Sequence, residues 1–330
     1  MIMQAAEAQR SMPAVPAMAV SKRFGRFKDE EEHAVRAPQR VAEDQVLGQL
    51  KGAWMKFQWI GEHWDAMTGN MSGLEAVKGL TYTAKDVERF SIALAEFQGE
   101  EDFREKAGYF LSALINNCPD SDFVIHTKHL EKKIEYLGLH NTKNITIDGD
   151  AGNVLGREMI GGRITVKGST RDWAGLFMKN GEIVIEGDSG NGLGREMKSG
   201  KITVERNASR NVGMLMVGGE IVIEGNGGEQ VGFHMKGGKI TVKGNATNLA
   251  GYGMESGEIV IDGDCGEDLG NEMEGGKITV KGNGGECVGL GMAGGTIRID
   301  GDYVSLDKNI KGGKIYHKGK LIYPRGDHAS

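Results

Sequence analysis

From Ile145 onward the chain writes one phrase repeatedly. Ile145, Ile164, Ile183, Ile202, Ile221, Ile240, Ile259, Ile278 and Ile297 recur with a constant 19-residue period, and a shortened echo begins at Ile315. Self-similarity at a fixed period of this length signals a solenoid, in which each unit buries its apolar face only against its neighbours. Each unit opens apolar–polar–apolar, as Ile-Thr-Val or Ile-Val-Ile. That is strand periodicity, carried by the β-branched residues that strands favour. The repeats hold most of the 53 glycines. An α-solenoid is therefore excluded, since each Gly inside a helix costs about 1 kcal/mol relative to Ala. The nine-residue calcium-binding repeat is absent as well.

After each strand comes Gly with a small polar partner, as in Gly149-Asp150, Gly225-Asn226 and Gly244-Asn245. This is turn chemistry, and stacked Asp and Asn side chains at such a corner can accept from backbone N–H groups or form amide ladders. Two columns never vary. One is Gly156, Gly175, Gly194, Gly213, Gly232, Gly251, Gly270 and Gly289; the other is Met159, Met178, Met197, Met216, Met235, Met254, Met273 and Met292. The Gly column implies a positive φ or no room for a Cβ. The Met column reads as flexible apolar filler packed rung on rung. Metal binding by stacked thioethers is disfavoured, because no Cys or His stands in register with them.

Alternate units resemble each other most, as in Leu155-Gly-Arg-Glu-Met159 and Leu193-Gly-Arg-Glu-Met197. This suggests two strands and about 38 residues per turn, two 19-residue units. One sheet would then be acidic, with Glu182, Glu220 and Glu258, and the other basic, with Lys201, Lys239, Lys243, Lys277 and Lys281 as candidate interaction residues and Glu205 as an exception. A turn of a single unit would instead alternate the charges from strand to strand, which is electrostatically better. Screening of exposed charges by solvent and salt leaves the longer turn open, and the resemblance below favours it.

The units Gly149–Gly152–Gly156, Gly187–Gly190–Gly194, Gly225–Gly228–Gly232, Gly263–Gly266–Gly270 and Gly282–Gly285–Gly289 each read G-xx-G-xxx-G. Over about residues 145–318 the chain resembles the GXGXG repeat domain. That domain is the C-terminal β-helix of the glutamate synthase large subunit. It is also the β-helical subunit of formylmethanofuran dehydrogenase and of its bacterial formyltransferase/hydrolase counterpart. The resemblance implies a right-handed parallel β-helix with two strands per turn, acting as a structural or assembly element, and supplies no catalytic residues. Arg171, Ser209 and Thr247 replace the middle Gly in three units.

The fold class is therefore mainly β, a parallel β-helix preceded by a small α-helical domain. Residues 1–45 read as a polar arm, with a basic patch at Lys22–Lys28 followed by Asp29–Glu32. Residues 46–144 read as a helical module and cap, and residues 145–330 as the β-helix with its C-terminal cap. Trp54, Phe57, Trp59 and Trp64 are dense enough to dock on a partner or the solenoid, or to build a small core. Thr83-Ala-Lys-Asp86 resembles a capping box. Two apolar stripes follow at helical spacing, Val87/Phe90/Leu94/Phe97 and Phe103/Ala107/Phe110/Leu114, and suggest a helical hairpin. Phe123–Ile125 and Ile134–Leu137 would lead into a cap on the first turn, and Lys318–Pro324 would finish the other end.

No apolar run is long enough to span a bilayer, and the segment Met12–Val20 is too short and Pro-broken for a secretory leader. The formal charge of −6 disfavours a nucleic-acid partner. Three unpaired Cys suggest a reducing, cytoplasmic setting. Gly289–Gly294 fits G-x-G-x-x-G but has no following helix, and His126 and His129 have no metal motif around them. A carbohydrate partner is disfavoured because Trp173, Phe177, Phe233 and Tyr252 are scattered among the units. The expected function is a non-catalytic scaffold without a cofactor, binding a protein partner or further copies of itself. The alternative is an accessory subunit of a formylmethanofuran-dehydrogenase-like or glutamate-synthase-like complex.

Overall fold

The structure is a computed structural model that describes residues 44–58 and 66–324. The arm, Trp59 and Trp64 lie outside the described residues. Residues 44–56 (α1), Ala66–Val77 (α2), Ala84–Ala93 (α3) and Phe103–Asn117 (α4) form the helical module. The capping box starts α3: the Thr83 hydroxyl accepts from Asp86 N–H at 3.4 Å, and the Asp86 carboxylate accepts from Thr83 N–H at 2.9 Å. The stripe then tightens into a 3-10 turn, Leu94–Phe97.

The β region begins earlier than the repeat. β1 (Asp122–His126), inside the segment read as cap, pairs parallel with β2 (Asn144–Asp148), so that Phe123 and Ile125 face Ile145 and Ile147. There follow β3 (Arg163–Val166), β4 (Glu182–Ile185), β5 (Lys201–Val204), β6 (Glu220–Ile223), β7 (Lys239–Val242), β8 (Glu258–Ile261), β9 (Lys277–Val280), β10 (Thr296–Ile299) and β11 (Lys314–His317). Each pairs in parallel with the next, and β12 (Lys320–Tyr323) folds back antiparallel on β11 as the terminal cap.

The register corrects the expected turn. Ile164 lies beside Ile145 and Ile183 beside Ile164, so successive units are neighbours in one sheet and a turn holds one unit, not the expected two. The separate acidic and basic faces disappear with it. Arg163 pairs with Glu182 at 3.0 Å, Lys201 with Glu220 at 3.2 Å and Lys277 with Glu258 at 2.9 Å, each across adjacent strands. The odd–even alternation in the sequence is complementarity between neighbours, broken just after the strands where Glu186, Glu205 and Glu224 follow one another. Strands about 4.8 Å apart bring opposite charges into contact, where like charges would repel.

Inside each turn the two apolar strand residues, the residue before the invariant Gly, and the Met are buried; in the turn of Gly232 these are Ile240, Val242, Val231 and Met235, all at 0% exposure. Each full burial stabilises by about 1.5–3 kcal/mol, which dwarfs the exposed ion pairs at about 0–1 kcal/mol. The corner after each strand is a polar ladder. Asn207 Oδ1 accepts Asn226 N–H at 2.9 Å, Asn226 accepts Asn245 N–H at 2.8 Å, and Asn245 accepts Asp264 N–H at 2.8 Å. These bonds satisfy backbone donors that the corner would otherwise leave unpaired. The core continues without a break into the helical module, where α3 packs on β1.

Candidate interaction face

Of the residues singled out from sequence, the Met column, Trp54 and Phe57 are buried, and the half-exposed lysines are paired along the strands. The eight Met side chains are fully buried, and Met216 Cε rests on Gly238 in the next turn. Trp54 (0% exposed) and Phe57 (3%) belong to the module's own core. The Trp54 indole N–H donates to Glu100 at 2.9 Å, and its ring meets Phe90, Phe97, Phe103 and Phe110 with centroids 5.3–6.3 Å away. They form the small core rather than a docking surface. The lysines are tied into the charge ladder: Lys239 and Lys277 flank Glu258, at 3.2 and 2.9 Å, and Lys243 and Lys281 flank Asp262, at 3.5 and 2.8 Å. Lys277 and Lys239 hold the Glu258 carboxyl below its ordinary range, and Lys281 does the same, most strongly, for Asp262.

The other broad wall is built differently. Let the turns holding Gly156 to Gly289 be rungs 1 to 8. In every rung the residue two before the invariant Gly and the residue two after it adopt positive φ, whatever their identity: Trp173 at 62° and Phe177 at 56° in rung 2, Asn211 at 61° and Leu215 at 57° in rung 4. For non-Gly residues this left-handed conformation costs about 1–2 kcal/mol. Hydrogen bonding offsets the cost. Trp173 N–H donates forward to Asn191 O at 2.7 Å, Gly175 N–H backward to Leu155 O at 2.8 Å, and Phe177 N–H forward again to Arg195 O at 3.0 Å. Alternating donors thus join each rung to both neighbours without a strand.

This left-handed wall collects the aromatic residues that look scattered in the sequence. Trp173, Leu176 and Phe177 stand in rung 2, Met214 and Leu215 in rung 4, Phe233 and His234 in rung 5, and Leu249 and Tyr252 in rung 6. Leu176 is buried and the others are half-buried. Their common signal is an offset of two before, or one or two after, the invariant Gly. The rings are ordered by packing. Phe233 and Tyr252 stack with centroids 5.1 Å apart and planes within 5°, and His234 stands edge-on to both. Trp173 leans over Gly192 and His234 over Gly253, where a Cβ would lie about 2.6 and 2.5 Å from the ring. Trp173, Leu176, Phe177 and Arg195 line a cleft of about 310 Å³.

Charged groups border the apolar stretch. Arg195 Nε reaches Glu196 at 3.3 Å in rung 3, and the Arg157 guanidinium lies 5.6 Å from the Phe177 ring centre. Below them Glu158 meets Lys179 at 3.0 Å and His140 at 3.4 Å. Partial burial opposes its charge, but these cations prevail and hold its pKa below the usual value.

A second cluster joins the helical module to the first strands. His126 Nε2 meets Glu88 of α3 at 2.9 Å, its Nδ1 meets Asp148 of β2 at 3.3 Å, and its N–H donates to Ser91 Oγ at 3.0 Å. The bond to Glu88 leads in raising the imidazole pKa, with Asp148 adding to it. Both ring nitrogens are engaged with carboxylates, which suits a bound proton. Among the described residues no group of three or more His, Cys, Asp or Glu is placed to hold a metal, and no helix is long and apolar enough to cross a membrane. Burial pushes the Cys265 thiol up to about 12. Gly289–Gly294 is the rung 8 wall and leads into β10, not into a helix.

Fold and wall together define a β-solenoid protein with one charge-laddered face and one apolar, left-handed face. No protein-family model and no curated protein matches the chain. Among solved structures it is similar to a chain of the formyltransferase/hydrolase complex of Methylorubrum extorquens, determined in complex with methylofuran. Identity is 27%, the match covers 57% of this chain and 58% of that one, and the TM-score is 0.34. The match thus spans somewhat more than half of either chain.

Proposed function

We propose that this chain is a non-catalytic assembly protein whose solenoid is a rigid strut and whose left-handed face receives a protein partner. One observation carries the reading: apolar and aromatic side chains stand half-exposed and contiguous on that face from rung 4 to rung 6, while the strand face ties Lys201, Lys239 and Lys277 to Glu220 and Glu258 across adjacent strands. Contiguous exposed apolar surface on a folded chain marks an interaction site, and aromatic residues dominate the energetics of such sites. The coil is read as right-handed, in keeping with the strong preference of parallel crossovers.

The G-xx-G-xxx-G units support a second, narrower reading, an accessory subunit of a formylmethanofuran-dehydrogenase-like or glutamate-synthase-like complex. The test of the assembly reading is site-specific photo-crosslinking in native lysate, with a photoreactive residue replacing Leu215 on the apolar face or Thr203 on the charged one. Discrete adducts at position 215, lost in Phe233→Glu and absent at 203, are expected. Adducts at 203 alone, or none at either, would refute the reading.

A further inference from the structure

The apolar face carries a pattern that is complementary to itself when reversed. Rung 4 presents Met214 and Leu215; rung 3 on one side presents Arg195 and Glu196, and rung 5 on the other presents Phe233 and His234. Beyond these, rung 2 presents Trp173 and Phe177, and rung 6 presents Leu249 and Tyr252. We propose that a second copy of this chain docks antiparallel on this face, with a two-fold axis crossing rung 4. The inference rests on the assembly reading and names its partner.

A wall that repeats rung by rung limits how two copies can meet. When two such walls meet about an axis perpendicular to the solenoid, each column of side chains faces the same column of the other copy, with the rung order reversed. Met214 and Leu215 then meet their own counterparts on the axis. Arg195 faces Phe233, a cation over an aromatic ring, the same contact that Arg157 makes with Phe177 inside one chain at 5.6 Å. Glu196 faces His234, an acid against an imidazole. Trp173 faces Leu249, and Phe177 faces Gly253. The matched stretch from rung 2 to rung 6 is roughly 19 Å long, at about 4.8 Å per rung. Val217, 52% exposed, stands two residues after Leu215, in a column that carries Lys198 and Lys236 in the neighbouring rungs. At the outer limit Glu158 would face Glu272. Each is already held by its own chain, Glu158 by Lys179 at 3.0 Å and Glu272 by the Tyr252 hydroxyl at 2.9 Å.

Other antiparallel registers fail on charge. An axis through rung 3 sets Arg195 against Arg195 and Glu196 against Glu196. An axis through rung 5 sets Glu196 against Glu272. An axis between rungs 3 and 4 presses Arg195 and Glu196 onto Met214 and Leu215, and one between rungs 4 and 5 presses Trp173 onto Asp268 and Phe177 onto Glu272. A parallel pairing, with the axis along the solenoid, keeps the rungs level and reverses the columns; with the axis between the two columns Arg195 meets Glu196 and Leu215 meets Met214, and a Leu215→Cys self-crosslink separates the two arrangements. Like charges opposed, or charges buried without a partner, cost far more than an apolar contact returns. Among these antiparallel registers the rung 4 axis is the one that sets Arg195 against an aromatic ring and Glu196 against an imidazole together.

The experiment is sedimentation equilibrium of the purified full chain across micromolar concentrations, with circular dichroism to check that each variant keeps its fold. Wild type is expected to dimerise. Leu215→Glu sets two carboxylates on the axis and should weaken the dimer by more than about tenfold, on the scale seen for central apolar contacts. His234→Glu opposes Glu196 and should also weaken it, and the swap Glu196→His with His234→Glu should restore it. Leu215→Cys, in a Cys287→Ser background, should form an interchain disulfide with itself, while Leu249→Cys should not. A wild type that stays monomeric, or a dimer indifferent to Leu215→Glu and without the Leu215→Cys crosslink, overturns the proposal. A monomer that still gives Leu215 adducts with a different protein removes self-pairing and leaves the assembly reading standing. A monomer without adducts removes both.

Discussion

Replacing Gly238 by Ala tests the stacking model at its tightest point. Gly238 has φ of 87°, and a Cβ there would lie 2.8 Å from Gly219 O, 2.8 Å from Met216 Cε and 3.0 Å from Gly218 C. Two costs add. The positive φ strains any L side chain by about 1–3 kcal/mol. The added methyl overpacks the corner, and because one obstacle is backbone, local side-chain motion cannot clear it, which costs a further 1–3 kcal/mol or so. The sum is about 2–6 kcal/mol. Gly161→Ala is the control, since nothing lies within 4 Å of its would-be Cβ and its φ is not positive; it should be near neutral. Met216→Ala alone should cost about 2–5 kcal/mol through the cavity it leaves. Combined with Gly238→Ala it should cost less than the two separately, because the methyl then enters the space that Met216 Cε vacates, while the clash with Gly219 O and the strain persist. Repeat arrays need not unfold in one step, so the assay is urea denaturation by circular dichroism together with hydrogen exchange at β6–β8 amides. If Gly238→Ala exchanges and melts like Gly161→Ala, the reasoning that binds Gly and Met columns into one packing unit is wrong.

Further outcomes follow from the same geometry. Met216→Asp buries an unpaired charge and should destabilise by on the order of 3–5 kcal/mol, read by the urea midpoint; an unchanged midpoint would place the Met column outside the core. Glu258 and Asp262 have pKa values lowered in the fold by their flanking lysines. Their stabilisation is present above the ordinary carboxylate pKa and is lost as pH falls through the lowered values, so the melting temperature should drop on acidification in that range; Glu258→Gln with Asp262→Asn should flatten the drop. His126 has the opposite sign. Its raised pKa means that the proton stabilises the junction of α3 with β1 and β2 below the unfolded value, and that this contribution is lost as pH rises through the folded value. Lys128, 2.7 Å from Asp148, holds that carboxylate below its ordinary range, so Asp148 remains an anionic partner of the ring at pH 6. His126→Gln should therefore lower the melting temperature more at pH 6 than at pH 9, and an equal loss at both would show that the cluster only packs.

What the sequence alone determined is what a one-dimensional period can carry. The constant repeat length, the Ile-x-Val strands, the inward Met column, the Asn corner and the Thr83 capping box each depend on neighbours along the chain, or on the same position one unit away, and each is present as read. Only the tertiary structure decided which unit lies beside which. Whether Lys201 meets Glu220 or another lysine depends on the number of residues per turn, and the sequence pattern is compatible with both answers until the register is seen. The Trp54 ring could serve a core or a partner until Phe90 and Phe110 closed over it. Trp173, Phe177, Phe233 and Tyr252 became a surface only because a left-handed turn, which propensity does not encode for such residues, points the flanks of every invariant Gly to one side. Side chains a whole unit apart, or farther, become neighbours through coiling, and coiling is a property of the whole stack.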